Sequence, residues 1–125
     1  FAVPPQPVVR ASPPIITEDR RVEFIFDTGI VERQRLRTID GNLVELDDLE
    51  STPIYLAGSF NNFDPFMYRL RPSGTDSSEL SFTTRLPPGT HHYYFVVNGL
   101  RVLDPLNMDR SARRGTHTVN RFTVP

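Results

Sequence analysis

Apolar and polar residues alternate with period two along most of this chain, in short runs separated by turn residues. In Arg21–Asp27, Val22, Phe24 and Phe26 alternate with Glu23, Ile25 and Asp27, the spacing of a strand with one face buried. Ile54, Leu56, Gly58 and Phe60 alternate with Tyr55, Ala57 and Ser59, and Leu80, Phe82, Thr84 and Leu86 repeat the pattern. The most sharply punctuated stretch is Leu86–Asp104. Pro87-Pro88-Gly89 is a turn, His91–Val97 is a run of aromatic and β-branched residues, and Asn98-Gly99 is a hairpin signal. Leu100–Leu103 then restarts an extended segment that Asp104-Pro105 stops. Within it His91, Tyr93, Phe95 and Val97 share one face, and His92, Tyr94 and Val96 the other. Thr116–Val124 is the last strand, with Asn120, Phe122 and Val124 on one face.

Ile15-Ile16 reads as a short edge strand, and Val31–Leu46 as a hairpin turning at Asp40-Gly41-Asn42. Its first arm carries Arg33, Arg35 and Arg37 at alternate positions. They form either a docking face for acids or a solvated face answered by Glu45, Asp47, Asp48 and Glu50. The second reading is adopted, because surface ion pairs are common and individually weak. Asn61-Asn62-Phe63-Asp64-Pro65 is a turn, with Met67 and Leu70 expected as core plugs behind it. Pro72–Ser78 and Leu106–Gly115 read as polar loops. Phe1–Pro14 holds five of the twelve prolines and reads as an extended, polyproline-like lead-in. The result is seven to nine short strands and no helix, the pattern of an all-β antiparallel sandwich. A Pro-rich N-terminal arm is expected over residues 1–20, followed by the sandwich over 21–125 with an inserted hairpin at 30–50. Its two layers should enclose Phe24, Leu56, Phe82, Tyr93, Phe95 and Phe122.

Composition narrows the function. At 125 residues the chain is one domain, large enough to bury a core without disulfides, and it has no Cys. The net charge of −1 argues against a general nucleic-acid binder. No apolar run approaches the ~18 residues of a bilayer span, so no direct membrane insertion is expected. No signal segment is recognisable, and the compartment stays open between cytoplasmic and exported after removal of a signal segment. His91 and His92 are adjacent and point to opposite faces, and His117 lies on another strand, so no metal or cofactor is expected. Asp47 and Asp48 read as solvated acids rather than a glycosidase pair. With no phosphate loop or serine elbow either, the chain is read as non-enzymatic.

Taken in order, IYLAGSFNNFDP, LPPGTHHYYFVVNG, Leu103-Asp104-Pro105 and the closing strand with Asn120 resemble carbohydrate-binding module family 48. That family includes the glycogen-binding domain of the AMP-activated kinase β subunit and the early-set domains beside isoamylase and branching-enzyme barrels. The resemblance implies an immunoglobulin-like, early-set β-sandwich, non-catalytic, that recognises α-glucan in its sugar-binding members. Phe63 stands where glycogen-binding members carry a Trp, Arg101 where a second Trp follows the hairpin turn, and Tyr94 where a Lys is usual. Gly115 and Thr116 match a late motif, but Arg114 replaces its Leu and the spacing to Asn120 is longer. The implied carbohydrate-binding set is Phe63 and Tyr94 for stacking, with Arg101, His117 and Asn120 for hydrogen bonds. Two roles stay open. One is an α-glucan module with a modified platform. The other is a protein-interaction or accessory domain, docking a protein or a neighbouring domain within a larger or membrane-attached protein.

Overall fold

A computed structural model of the chain describes residues 8–10, 14–28, 35–45, 52–73, 76–113 and 117–125. Thirteen strands are formed among them, and every pairing is antiparallel. They are β1 (Val8–Arg10), β2 (Ile15–Thr17), β3 (Arg21–Asp27), β4 (Arg35–Arg37), β5 (Leu43–Glu45), β6 (Ile54–Gly58) and β7 (Tyr68–Arg69). After them come β8 (Arg71–Ser73), β9 (Asp76–Arg85), β10 (Gly89–Val97), β11 (Leu100–Val102), β12 (Arg110–Arg113) and β13 (His117–Val124). One sheet has the order β1-β2-β3-β9-β8. The other runs β12-β13-β10-β6-β7, with β11 also paired to β10.

The two sheets meet through rings. Phe24 and Phe26 of β3 contact Tyr93, Phe95 and Phe122 edge-on, with centroid separations of 5.0 Å (Phe24–Tyr93), 5.5 Å (Phe24–Phe122) and 5.3 Å (Phe26–Phe95). Edge-to-face rings are the favoured aromatic arrangement. All five rings are fully buried, as is Leu56, and Phe82 packs against them half-buried. The expected core therefore stands, and the all-β sandwich with it. Each such side chain contributes about 1.5–3 kcal/mol on burial, which is why the period-two pattern dominates the sequence. His91, on the same inward face, lies between Phe60, which it meets edge-on, and Phe122, to which it is tilted by 30°, and its Nε2 hydrogen-bonds the Pro87 carbonyl at 2.9 Å.

Several expectations are corrected. The lead-in is not wholly polyproline-like: Val8–Arg10 pairs with β2, so Ile15–Thr17 is an inner strand and not an edge. Arg71–Ser73 and Arg110–Arg113 are strands where loops were expected, because each completes the ladder of a long neighbour, β9 and β13 respectively. Leu70 is a core plug, but Met67 is 58% exposed. Tyr68 fills the inward place instead, stacked on Phe82 at 4.5 Å. Between β7 and β8 the chain changes sheets at buried Leu70, whose N–H donates to the Ile54 carbonyl.

The hairpin β4-β5 forms a two-stranded sheet of its own, docked beside the second sheet through a bridge between Thr38 and Val102. Its corner runs beside β11: Leu103 N–H donates to the Arg37 carbonyl at 2.8 Å, Ile39 N–H to the Arg101 carbonyl at 3.1 Å, and Thr118 N–H to the Ile39 carbonyl at 3.0 Å. Leu36 is buried in the main core, while Ile39 is buried on the opposite face of the sheet. Arg35 pairs with Glu45 at 3.3 Å and Arg37 donates to the Gly41 carbonyl, in keeping with a solvated face. Arg33, Asp47, Asp48 and Glu50 lie outside the described residues.

Candidate functional site

The turn after β6 is built by one asparagine. Gly58 N–H donates to Asn61 Oδ1 at 2.9 Å, and Asn61 Nδ2 donates to the Leu56 carbonyl at 3.2 Å. The Gly58 carbonyl accepts from the N–H groups of Asn61 and Phe63. So tight a reversal needs left-handed backbone, and Asn62 and Phe63 supply it at φ 58° and 54°. Asparagine tolerates that region; a bulky residue there is an outlier. The outcome is that Phe63 is folded back over the sheet and stacks on Tyr94, centroids 5.5 Å apart and planes 20° from parallel.

Tyr94 belongs to the outer face of the second sheet. There it forms a second apolar cluster with Ile39, Ala57, Val96, Leu103 and Val119, against which Tyr55 and Phe63 pack. Register places Tyr55, Val96 and Arg101 in one row across three strands, with Ala57 and Tyr94 in the next. Arg101 is exposed, and Phe66 stands edge-on to Tyr55 at 5.7 Å. Among the described residues, cavities open along this side. One of about 720 Å³ lies in the turn itself, lined by Ser59, Asn62, Phe63, Asp64 and Met67 among others. One of about 210 Å³ lies against Tyr55, Phe66, Val96 and Gly99. One of about 290 Å³ lies between Thr38–Asp40 and Gly99–Arg101.

Phe63, Tyr94 and Arg101 thus share the outer face. Tyr94 is only 7% exposed, so it supports Phe63 rather than offering a ring of its own. His117 begins β13 opposite Arg113; its side chain lies outside the described set, as do Arg114, Gly115 and Thr116. Asn120 is not on this face. It pairs with Tyr93 on the inward side and is fully buried. Its Oδ1 accepts from Asp104 N–H at 2.7 Å, and its Nδ2 donates to the carbonyls of Asn107 and Asp104. It clamps the turn after β11, together with Asp104, Asn107 and the Tyr93 hydroxyl. The outward neighbour on β13 is Val119. Asn120 is therefore corrected from ligand contact to structural clamp. Strand parity already carried that information, since Asn120 shares its face with Phe122.

Sequence reasoning missed Tyr55, Phe66 and Asp40 as lining residues. No motif marks them, because they converge only through pairing and through the docked hairpin. Among the described residues no three of His, Cys, Asp or Glu gather as metal ligands.

A family model described as the glycogen recognition site of AMP-activated protein kinase matches residues 48–124. No curated protein matches the chain. The matched span holds every strand from β6 to β13, including the turn that carries Phe63 and the hairpin that carries Arg101. It covers more than half of the chain, and this protein belongs to the family of carbohydrate-binding modules typified by that glycogen recognition site.

Proposed function

We propose that this domain is a non-catalytic module that contacts α-glucan through the outer face of its second sheet. Phe63 is the stacking ring, Tyr94 is its support, and Arg101 donates hydrogen bonds to sugar hydroxyls, with His117, at the start of β13, as a further candidate donor. The observation that carries this reading is Phe63, held over Tyr94 by left-handed backbone within the span the family model matches; the sequence resemblance sets it where a stacking Trp is usual. Strained backbone that displays a side chain is a mark of functional turns. A single Phe has less area than a Trp and no N–H donor, so affinity for short oligosaccharides is expected to be weak, on the order of millimolar. Affinity electrophoresis in gels containing glycogen or amylose tests it. The wild-type chain should be retarded and Phe63→Ala should not. Equal mobility of both with and without polysaccharide would end the sugar reading.

A second reading, a protein-interaction module, is favoured by Phe66 and Met67. These neighbours are 71% and 58% exposed at the tip of the same turn, an arrangement more typical of an interaction surface than of scattered apolar residues.

A further inference from the structure

Arg69 and Arg71 stand on either side of buried Leu70, where the chain crosses from the second sheet to the first. Register sets Arg69 opposite Tyr55 on the outer face of the second sheet, and Arg71 opposite Ser81 on the outer face of the first. Both are exposed. Other arginines have acids at hand: Arg21 and Arg85 share Asp19, Arg35 meets Glu45, and Arg121 meets Asp109. Among the described residues, the guanidinium groups of Arg69 and Arg71 have no such partner. The two arginines line a cavity of about 320 Å³ whose apolar wall is Pro53, Ile54, Pro72 and Leu80. Thr52 and Pro53 line this cavity and also the 210 Å³ cavity of Tyr55, Phe66 and Val96, so the two adjoin. Together they form a groove with an apolar end and a cationic end.

We propose that this groove docks an extended, acidic segment of a partner protein, its carboxylates on Arg69 and Arg71 and an apolar side chain against Phe66 and Tyr55. This rests on the protein-interaction reading above and gives that partner its chemistry. Charge complementarity selects the occupant. A guanidinium only donates hydrogen bonds, and its fork matches the two oxygens of a carboxylate. In an extended chain, α-carbons two residues apart are about 6.6 Å apart, so acids at alternate positions of an extended ligand match the two arginines. A lone inorganic anion would leave the apolar end empty. An uncharged peptide would leave both guanidinium groups unanswered. Pro53 and Pro72 carry no N–H, which makes this edge a poor template for adding a strand through main-chain bonds. Recognition here therefore goes through side chains and is set by charge.

The test is panning of a displayed library of random linear peptides against the 125-residue chain, with binding of the selected peptides read by fluorescence anisotropy. Selected peptides should carry Asp or Glu at alternate positions beside an aromatic or aliphatic residue. Their affinity should fall as salt is added. Arg69→Ala and Arg71→Ala should each weaken binding about tenfold, the loss of a hydrogen bond between charged groups, and Phe66→Ala should weaken it severalfold. The doubly reversed variant, Arg69→Glu with Arg71→Glu, should lose these peptides and select basic ones instead. All three positions are exposed, and an unchanged far-ultraviolet spectrum checks that the variants fold. If the selected peptides lack acids, or bind wild type and the doubly reversed variant alike, this groove is overturned while the protein-interaction reading stands. If panning selects no peptide, the protein-interaction reading fails and the groove fails with it.

Discussion

Phe63 lies nearly flat on Tyr94, 5.5 Å between ring centroids, and reaches it from a backbone that only glycine adopts without cost. The ring contact and the strained backbone therefore oppose each other, and substitution separates them. Phe63→Ala removes the ring and keeps the strain. Phe63→Gly removes both. At ordinary positions glycine is less stable than alanine by about 0.5–1 kcal/mol. Here the order should reverse, with the Gly variant more stable than the Ala variant by about 1 kcal/mol in urea denaturation. An Ala variant at least as stable as Gly would show that this backbone is not under constraint.

Gly58 is a close-approach position. Its φ is not in the left-handed range, but a Cβ there would meet the Phe60 ring at 2.3 Å and the His92 carbonyl oxygen at 2.9 Å. Phe60 is flanked by Phe24 and stacked with Tyr68, so its ring cannot swing away without disturbing the core. Gly58→Ala should cost about 1–3 kcal/mol, the usual range for overpacking, and should alter the near-ultraviolet circular dichroism. A variant that melts like wild type with an unchanged spectrum would refute this.

The Tyr93 hydroxyl donates to Asp104 Oδ2 at 2.6 Å and accepts from Asn107 Nδ2 at 3.1 Å, in a fully buried setting. Tyr93→Phe keeps the ring and removes one donor from a buried carboxylate. Stability should fall by about 1–3 kcal/mol. Maltotetraose titration should be unaffected, because this network is on the inward side of the sheet, away from Phe63. Undiminished stability on chemical denaturation would argue against the network as a clamp; lost sugar binding by a folded variant would argue against the assignment of faces.

Most of the fold was legible because burial on one face leaves a period-two trace. Phe24 and Phe26, or Tyr93 and Phe95, announce their strands without help from the rest of the chain. Met67 and Tyr68 show the limit: a local apolar cluster does not say which member turns inward, and the sheet switch at Leu70 decided it. Val8–Arg10 and Arg71–Ser73 were missed for a related reason. Neither carries a strand pattern, and both exist because a neighbouring strand offers unpaired hydrogen-bonding groups.

The candidate site divides along the same line. Phe63 and Arg101 were singled out as candidates by motif position, and the inward placement of Asn120 followed from parity with Phe122. That Asp40 and Arg101 line one cavity, and that Phe66 meets Tyr55, had no sequence signature. By itself the sequence determined the strand periodicity, the tight turns and the family, because these depend on residues near one another in the chain. Where the hairpin of β4 and β5 docks was settled only by long-range pairing. That depends on hydrogen bonds from Leu103 to Arg37 and from Thr118 to Ile39, contacts between segments tens of residues apart whose pairing no local pattern encodes.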